Sequence, residues 1–281
     1  TQHWNTDTDS HPAFASLIMK NDKQIMQHFA KEEREFVEKI MDMCQQVEDT
    51  YSYRLTHFLH PRQDDIVSKI AHYYQLQTLS SRDFLPTEHS RVIIAPSYYE
   101  IDTQDFRLTA LDLSFSRKFH TLSHSQVLGT FLNQLGIKRE YLGDIIVNEE
   151  QLLVFLDEKF GQIAQQSITK IARVPVKVRE ISWLSVQLLN QQDWRSKDVL
   201  VSSLRLDKLV AVAFNLSRST ANKLIEAGHV KLDYLQSDQP SRTVEIGQLI
   251  SVRKHGRIRL NEFLGFSKQG KIKLKIDIVK T

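Results

Sequence analysis

Lys271-Ile-Lys-Leu-Lys-Ile-Asp-Ile278 alternates polar and aliphatic residues without a break. Successive side chains of a β-strand point to opposite faces, so an extended chain collects Ile272, Leu274, Ile276 and Ile278 on one buried side. Lys271, Lys273, Lys275 and Asp277 then face outward. Such a strand requires a sheet with an apolar cover. Its lysine side admits two readings, protection of a sheet edge or a cationic surface.

A cover lies upstream. From Leu204 the order reads helix, turn, helix, with Leu206, Leu209, Val210 and Ala213 turned inward and Arg205 and Lys208 on neighbouring positions of one face. Ser217 suits an N-cap, Ala221, Leu224 and Ile225 keep a buried stripe, and Arg218 and Lys223 are left outside. Gly228 stops the second helix. Strands are expected at Val230–Leu232, Val244–Ile246 and Leu249–Val252. The loop Arg253-Lys-His-Gly-Arg257 concentrates three formal cations, and Gly256 is expected to permit a tight backbone that brings Arg253 and Arg257 together.

Charge follows this division. Residues 201–281 hold 15 Lys and Arg against 7 Asp and Glu, a net of +8; the rest holds 22 against 27, or −5. A basic module on a mildly acidic body suits a nucleic-acid partner, and equally a solubilising tail. Cys44 is the only cysteine, which excludes an intramolecular disulfide and a multi-cysteine zinc site and fits a reducing cytoplasm. No apolar run approaches the roughly 20 residues of a membrane span. The first residues, with His3, Asp7, Asp9 and His11, lack the basic and apolar regions of a signal peptide. A cytoplasmic protein without membrane insertion is expected.

Ahead of the basic module, residues 11 to about 79 read as helical through Ile25, Phe29, Phe36, Val37, Ile40 and Val47. Pro61 reads as a break, followed by a helix from Gln63 to about Gln77. The mixed run Lys31 to Glu35 reads as a solvated face. Strands are expected at Arg91–Ala95, Phe106–Leu113, Ile145–Val147, Gln151–Leu156 and Val174–Ile181. Helices are expected at Ser123–Leu135, ended by Gly136, and at Glu158–Gln166. The fold class is α+β: an N-terminal helical domain (1–84), a central antiparallel sheet with helices on one face (85–187, RRM-like), a linker (188–200) and a basic C-terminal domain (201–281). Such a central sheet is a common RNA platform. Lys138 and Arg139, in a glycine-bounded turn, either contact phosphate or are exposed turn charges.

Several chemistries find no support. His120 and His124 lie four apart, but Ser123 is the better helix start and no carboxylate or cysteine completes a ligand set, so no metal is expected. None of the nine glycines is paired as Gly-x-Gly, and there is no Gly-Lys-Ser/Thr phosphate loop, so no nucleotide cofactor is expected. Asp207, in Arg205-Leu-Asp207, could be mistaken for a pseudouridine synthase nucleophile; its place at the start of a basic helix favours an acid paired with a nearby cation.

Arg205-Leu-Asp-Lys208, Ser217-Arg-Ser219, Leu224-Ile225 with Gly228 and Val230, and Gly247 before Leu249-Ile-Ser-Val252 resemble the RNA-binding domain first described in ribosomal small-subunit protein S-four, over roughly Val201 to Lys254. The resemblance implies RNA contacts at Arg205, Lys208, Ser217, Arg218, Ser219 and Lys223; the charge of the cationic loop makes Arg253, Lys254 and Arg257 a second expected contact from the same module. The chain departs from that family at Leu232-Asp-Tyr234, where Val-Asn-Gly is usual, and at Gly247-Gln248, where Gly-Asp is usual. The whole chain is similar to the YlmH-like proteins of bacteria. The supporting stretches are His28-Phe-Ala-Lys-Glu-Glu-Arg-Glu-Phe36, Arg91-Val-Ile-Ile-Ala-Pro96, Leu135-Gly-Ile-Lys-Arg-Glu140 with Gly143-Asp-Ile145, Val201-Ser-Ser-Leu-Arg-Leu-Asp207 and Arg253-Lys-His-Gly-Arg257. This resemblance implies a non-enzymatic protein that binds ribosomal RNA on the large ribosomal subunit and helps rescue stalled ribosomes carrying peptidyl-tRNA, with a link to cell division. The competing expectation is an RNA-modifying enzyme, a pseudouridine synthase or a methyltransferase accessory.

Overall fold

The computed structural model describes residues 22–189 and 193–281. The helical reading over residues 11–21 and the linker residues 190–192 lie outside the described residues. The chain divides into two compact units, Thr1–Ile145 with Leu153–Leu184, and Ile146–Leu152 with Ser185–Thr281.

The N-terminal unit begins with the expected helices and adds strands that hydrophobic periodicity did not signal. Helix α1 (Arg34–Thr50) buries Val37, Ile40, Cys44 and Val47, strand β1 covers Arg54–Leu55, and helix α2 (Pro61–Tyr73) buries Ile66, Val67, Ile70 and Ala71. Pro61 starts α2 rather than interrupting a helix: its fixed φ suits the first turn, and the His60 ring accepts from the Gln63 amide at 3.2 Å. Strands β2 (Gln77–Ser80) and β3 (Val92–Ala95) complete a three-stranded antiparallel sheet in the order β1-β3-β2. Thus the strand at residues 91–95, expected in the central sheet, pairs with the N-terminal elements. All four β3 residues are buried, which fits the central place of that strand.

The next elements are β4 (Leu108–Ser114), α3 (His124–Leu135), β5 (Leu142–Val147), β6 (Leu152–Asp157), α4 (Gly161–Ser167), the short hairpin β7 (Lys170–Ile171) and β8 (Val174–Pro175), and β9 (Lys177–Ile181). Apart from that hairpin, this is the β-α-β-β-α-β succession of the split βαβ fold, with sheet order β5-β6-β4-β9. Ser123 caps α3 by accepting from the Gln126 amide at 3.2 Å, and Gly136 closes it at φ 61°. Helix α4 packs on β4 and β9, and α3 packs on α4.

The opposite face of this sheet is not open. Every residue of β6 is buried. The Phe58 ring lies against Gly143, where a Cβ would meet it within 2.7 Å. Arg91 spans the same face: its guanidinium lies 5.5 Å from the Phe58 ring centroid, pairs with Asp157 at 3.3 Å, and donates to the carbonyls of Thr56 at 3.0 Å and Arg107 at 2.8 Å. The platform that the central sheet was expected to offer RNA is therefore occupied by the unit's own N-terminal segments.

Strand β10 (Arg195–Val201) runs ahead of the helices of the C-terminal unit, so residues 195–200 of the expected linker are a strand. Helices α5 (Leu206–Phe214) and α6 (Arg218–Glu226) follow. Then come β11 (Val230–Leu232), β12 (Leu235–Gln236), β13 (Leu249–Val252), β14 (Gly256–Phe266) and β15 (Ile272–Lys280). No strand forms at Val244–Ile246; Val244 is nevertheless fully buried and donates to the Leu204 carbonyl at 2.8 Å. The sheet order is β10-β15-β14-β13-β11-β12. The alternating strand lies in the interior between β10 and β14, which removes edge protection as the reason for its lysines. Leu274, Ile276 and Ile278 join Leu206, Leu209, Val210, Ala213, Ala221 and Ile225 in one core.

Two turns carry backbone strain. Asp233 (φ 46°) and Tyr234 (φ 69°) form a two-residue hairpin turn normally made by Asn-Gly. Asp233 is held there by accepting from the Leu249 amide at 2.8 Å. Gly256 (φ 137°) leaves no room for a Cβ beside the Val279 carbonyl. Its requirement is close packing on β15, not closure of the basic loop. Gly256→Ala should destabilise the C-terminal unit by about 2 kcal/mol or more, read as a lowered unfolding midpoint in denaturant.

In the N-terminal unit, burial lowers the pKa of His57 and of His124, with Arg139 adding to the effect at His124. The unfolded chain protonates histidine near about pH 6.5 while these two take up their protons only at lower pH when folded, so acid favours unfolding. Thermal stability of this unit should hold above about pH 7.5 and fall as pH drops through about 6.5. A His57→Gln, His124→Gln variant should show a shallower fall, and an unchanged slope would remove both as its source.

Candidate nucleic-acid interface

Asp207 is fully buried in the first turn of α5, where a negative charge complements the helix dipole. Its Oδ1 accepts from Arg205 Nε at 3.0 Å and from the Lys208 amide at 2.9 Å; its Oδ2 accepts from Arg205 Nη2 at 2.8 Å and Arg218 Nε at 3.3 Å. Burial alone would raise its pKa, but the bonds from Arg205 and Arg218 hold it below the ordinary aspartate value. The acid expected to pair with a nearby cation pairs with two. The backbone around it is equally tied, since the amides of Leu206 and Asp207 donate to the carbonyls of Arg242 and Pro240.

The cations therefore divide by role. Arg205, one-third exposed, is clamped in bidentate fashion, whereas Arg218, 56% exposed, shares only Nε. Lys208 Nζ donates to Ser202 Oγ at 2.7 Å. Ser217 caps α6, accepting from the Thr220 amide at 3.1 Å, and Ser219 and Lys223 on α6 are exposed. Arg253 and Lys254 are exposed in the β13–β14 turn, with Lys254 at φ 64° and the Arg253 amide bonded to the His229 carbonyl just past α6. Arg257 is on β14 opposite Ser251, half-buried and not in the turn.

Lys138 and Arg139 belong to the other unit. Lys138 is exposed, but Arg139 turns inward and donates to the Leu142 carbonyl, and burial lowers its pKa against the pull of Asp144 and Glu88. A better cationic surface there is the loop after β4, where the Arg117 guanidinium lies 4.8 Å from the Phe115 ring and Lys118 lies 5.5 Å from the exposed Phe119. Sequence reading missed this loop, although Phe115-Ser-Arg-Lys-Phe119, two aromatics around two cations, was its signal.

The chain matches three family descriptions: "YlmH, N-terminal" over residues 32–99, "Putative RNA-binding domain in YlmH" over 102–185, and "S4 domain" over 204–250. It is 30% identical over 247 residues to the ribosome-associated protein quality control protein P2 of Bacillus subtilis (strain 168), across 88% of this chain and 95% of that protein. The chain belongs to the YlmH family. A solved YlmH structure, the cell division protein ylmH from Streptococcus pneumoniae, is 36% identical and superposes with a TM-score of 0.51, covering 56% of this chain and 94% of that one. Within the YlmH framework the Asp207 cluster and Lys223 fall inside the S-four span, and the Arg253–Lys254 turn lies just beyond it.

Asp207→Asn should lower stability of the C-terminal unit by about 2 kcal/mol at neutral pH, because both arginines lose a charged acceptor. A depressed carboxylate pKa stabilises the fold above its unfolded value and is lost as pH falls below about 4, so the Asn variant should lack that part of the acid transition. Equal acid and neutral stabilities in the two proteins would show that the carboxylate supports nothing.

Proposed function

We propose that this chain is an RNA-binding adaptor that docks on ribosomal RNA of the large ribosomal subunit and acts in rescue of stalled ribosomes, touching tRNA or peptidyl-tRNA on the same particle. The observation that carries the reading is the cationic face of α5 and α6, organised around buried Asp207 inside an S-four span. The relative named for ribosome-associated quality control supplies the particle. Exchange of condensed counterions for Arg and Lys supplies affinity, and RNA shape with its 2′-hydroxyls supplies specificity.

Asp207 also favours binding over base modification. Its four hydrogen bonds and complete burial leave no lone pair presented to a nucleotide, which a pseudouridine synthase nucleophile would need. Lys138, and the Phe115–Phe119 loop in place of Arg139, supply the N-terminal unit's share of the contact.

Arg205 and Arg218 are poor probes, since their removal leaves a buried carboxylate without its partners. Lys223, Arg253 and Lys254 are exposed and carry the test. A Lys223→Ala, Arg253→Ala, Lys254→Ala variant should keep its unfolding midpoint, bind ribosomal RNA more weakly, and show a log K against log salt slope shallower by about 2–3. A folded variant that sediments with large subunits like the parent would refute the assigned face. Equal binding to vacant subunits and to subunits carrying peptidyl-tRNA would refute the rescue role.

A further inference from the structure

The β14–β15 hairpin is the longest among the described residues and lies beyond all three matched spans. Register shifts between Leu260 and Glu262 and between Phe263 and Gly265 mark bulges that bend its outer half. Phe263 pairs with Leu274 and Phe266 with Ile272, so both rings continue the aliphatic face that α5 and α6 cover lower down. At the tip that cover ends. Phe263 is 48% and Phe266 68% exposed, with ring centroids 5.3 Å apart at 73°. Leu264 and Leu200 are exposed as well.

The same tip carries Lys268 in its turn and, on the face opposite the rings, Lys271 and Lys273; all three are exposed, and among the described residues no ion pair involves any of them. The nearest acid along the ladder, Glu262, is 4.0 Å from Lys275. Protein-binding patches enrich aromatics but deplete lysine, whereas surfaces for single-stranded nucleic acid combine stacking rings with unpaired cations. We infer that this tip is a stacking site for unpaired RNA bases, with Phe263 and Phe266 receiving the bases on one face, Lys268 in the turn meeting the adjoining phosphate, and Lys271 and Lys273 drawing the strand's backbone around the tip from the other face. The site rests on the RNA-binding reading and deepens it: α5 and α6 meet structured RNA, and the tip reads bases that a helix leaves unpaired.

The test uses the full chain with two RNA probes, a stem with an unpaired loop and a fully paired duplex of the same length. Phe263→Ala, Phe266→Ala should bind the looped RNA roughly tenfold or more weakly and the duplex unchanged. Phe263→Leu, Phe266→Leu, which keeps apolar bulk but has no ring to stack, should be as weak as the alanine pair, and the tyrosine pair should bind like the parent. Leucine variants that bind looped RNA normally would overturn stacking. Normal RNA binding with lost sedimentation on large subunits would also overturn it, making the tip a protein contact. The Lys223, Arg253, Lys254 variant should weaken on both probes; if it alone stays unaffected, the broader reading fails independently of the tip.

Discussion

A single buried carboxylate organises the C-terminal unit. Taking Asp207 out of water carries a large desolvation cost, offset only because Arg205 approaches both oxygens and Arg218 reaches across from α6. The consequence is mechanical as well as electrostatic. Arg218 is the first residue of α6, where a cation opposes the helix dipole, and Asp207 compensates that charge while pinning the starts of the two helices together. The helices then present one fixed cationic face instead of two independent ones.

The N-terminal unit uses the same device for a different end. Arg91 and Asp157, both nearly buried, close one face of the split βαβ sheet together with Phe58. An open sheet of this kind offers stacking positions on its central strands; here those strands carry Ala110, Leu153 and Phe155, all covered. A polyanion is left the margins of this unit, among them the loop after β4 with its paired aromatics and cations.

How much could be read beforehand follows from the range of each interaction. Lys271 to Ile278 was legible because alternation is a local property, and Ser123, Gly136 and Ser217 because caps act within a turn. The pairing of β1, β2 and β3 was not: β1 and β2 carry too little period to register, and their shared partner β3, itself legible as a strand, lies 12 to 40 residues further along the chain. The reason for Gly256 escaped likewise, since the atom that excludes a side chain belongs to Val279. In the candidate site the residue types were legible and their division was not. Arg205 and Arg218 look alike in sequence, and only their geometry about Asp207 separates a clamped, mostly covered cation from a more exposed one.

That separation decides what each arginine can offer RNA. A guanidinium has five N–H donors in a planar fork. Arg205 spends one edge of its fork, Nε and Nη2, on the carboxylate and is two-thirds covered, so its charge serves mainly to keep Asp207 ionised. Arg218 gives only Nε, at the longer distance of 3.3 Å, and is more than half exposed, so its terminal groups can meet phosphate while Asp207 still restrains the side chain. A cation restrained before contact loses less rotamer freedom on binding than a free lysine does. The buried acid therefore removes one unit of formal charge from the face, yet makes the remaining charge at Arg218 better placed for RNA.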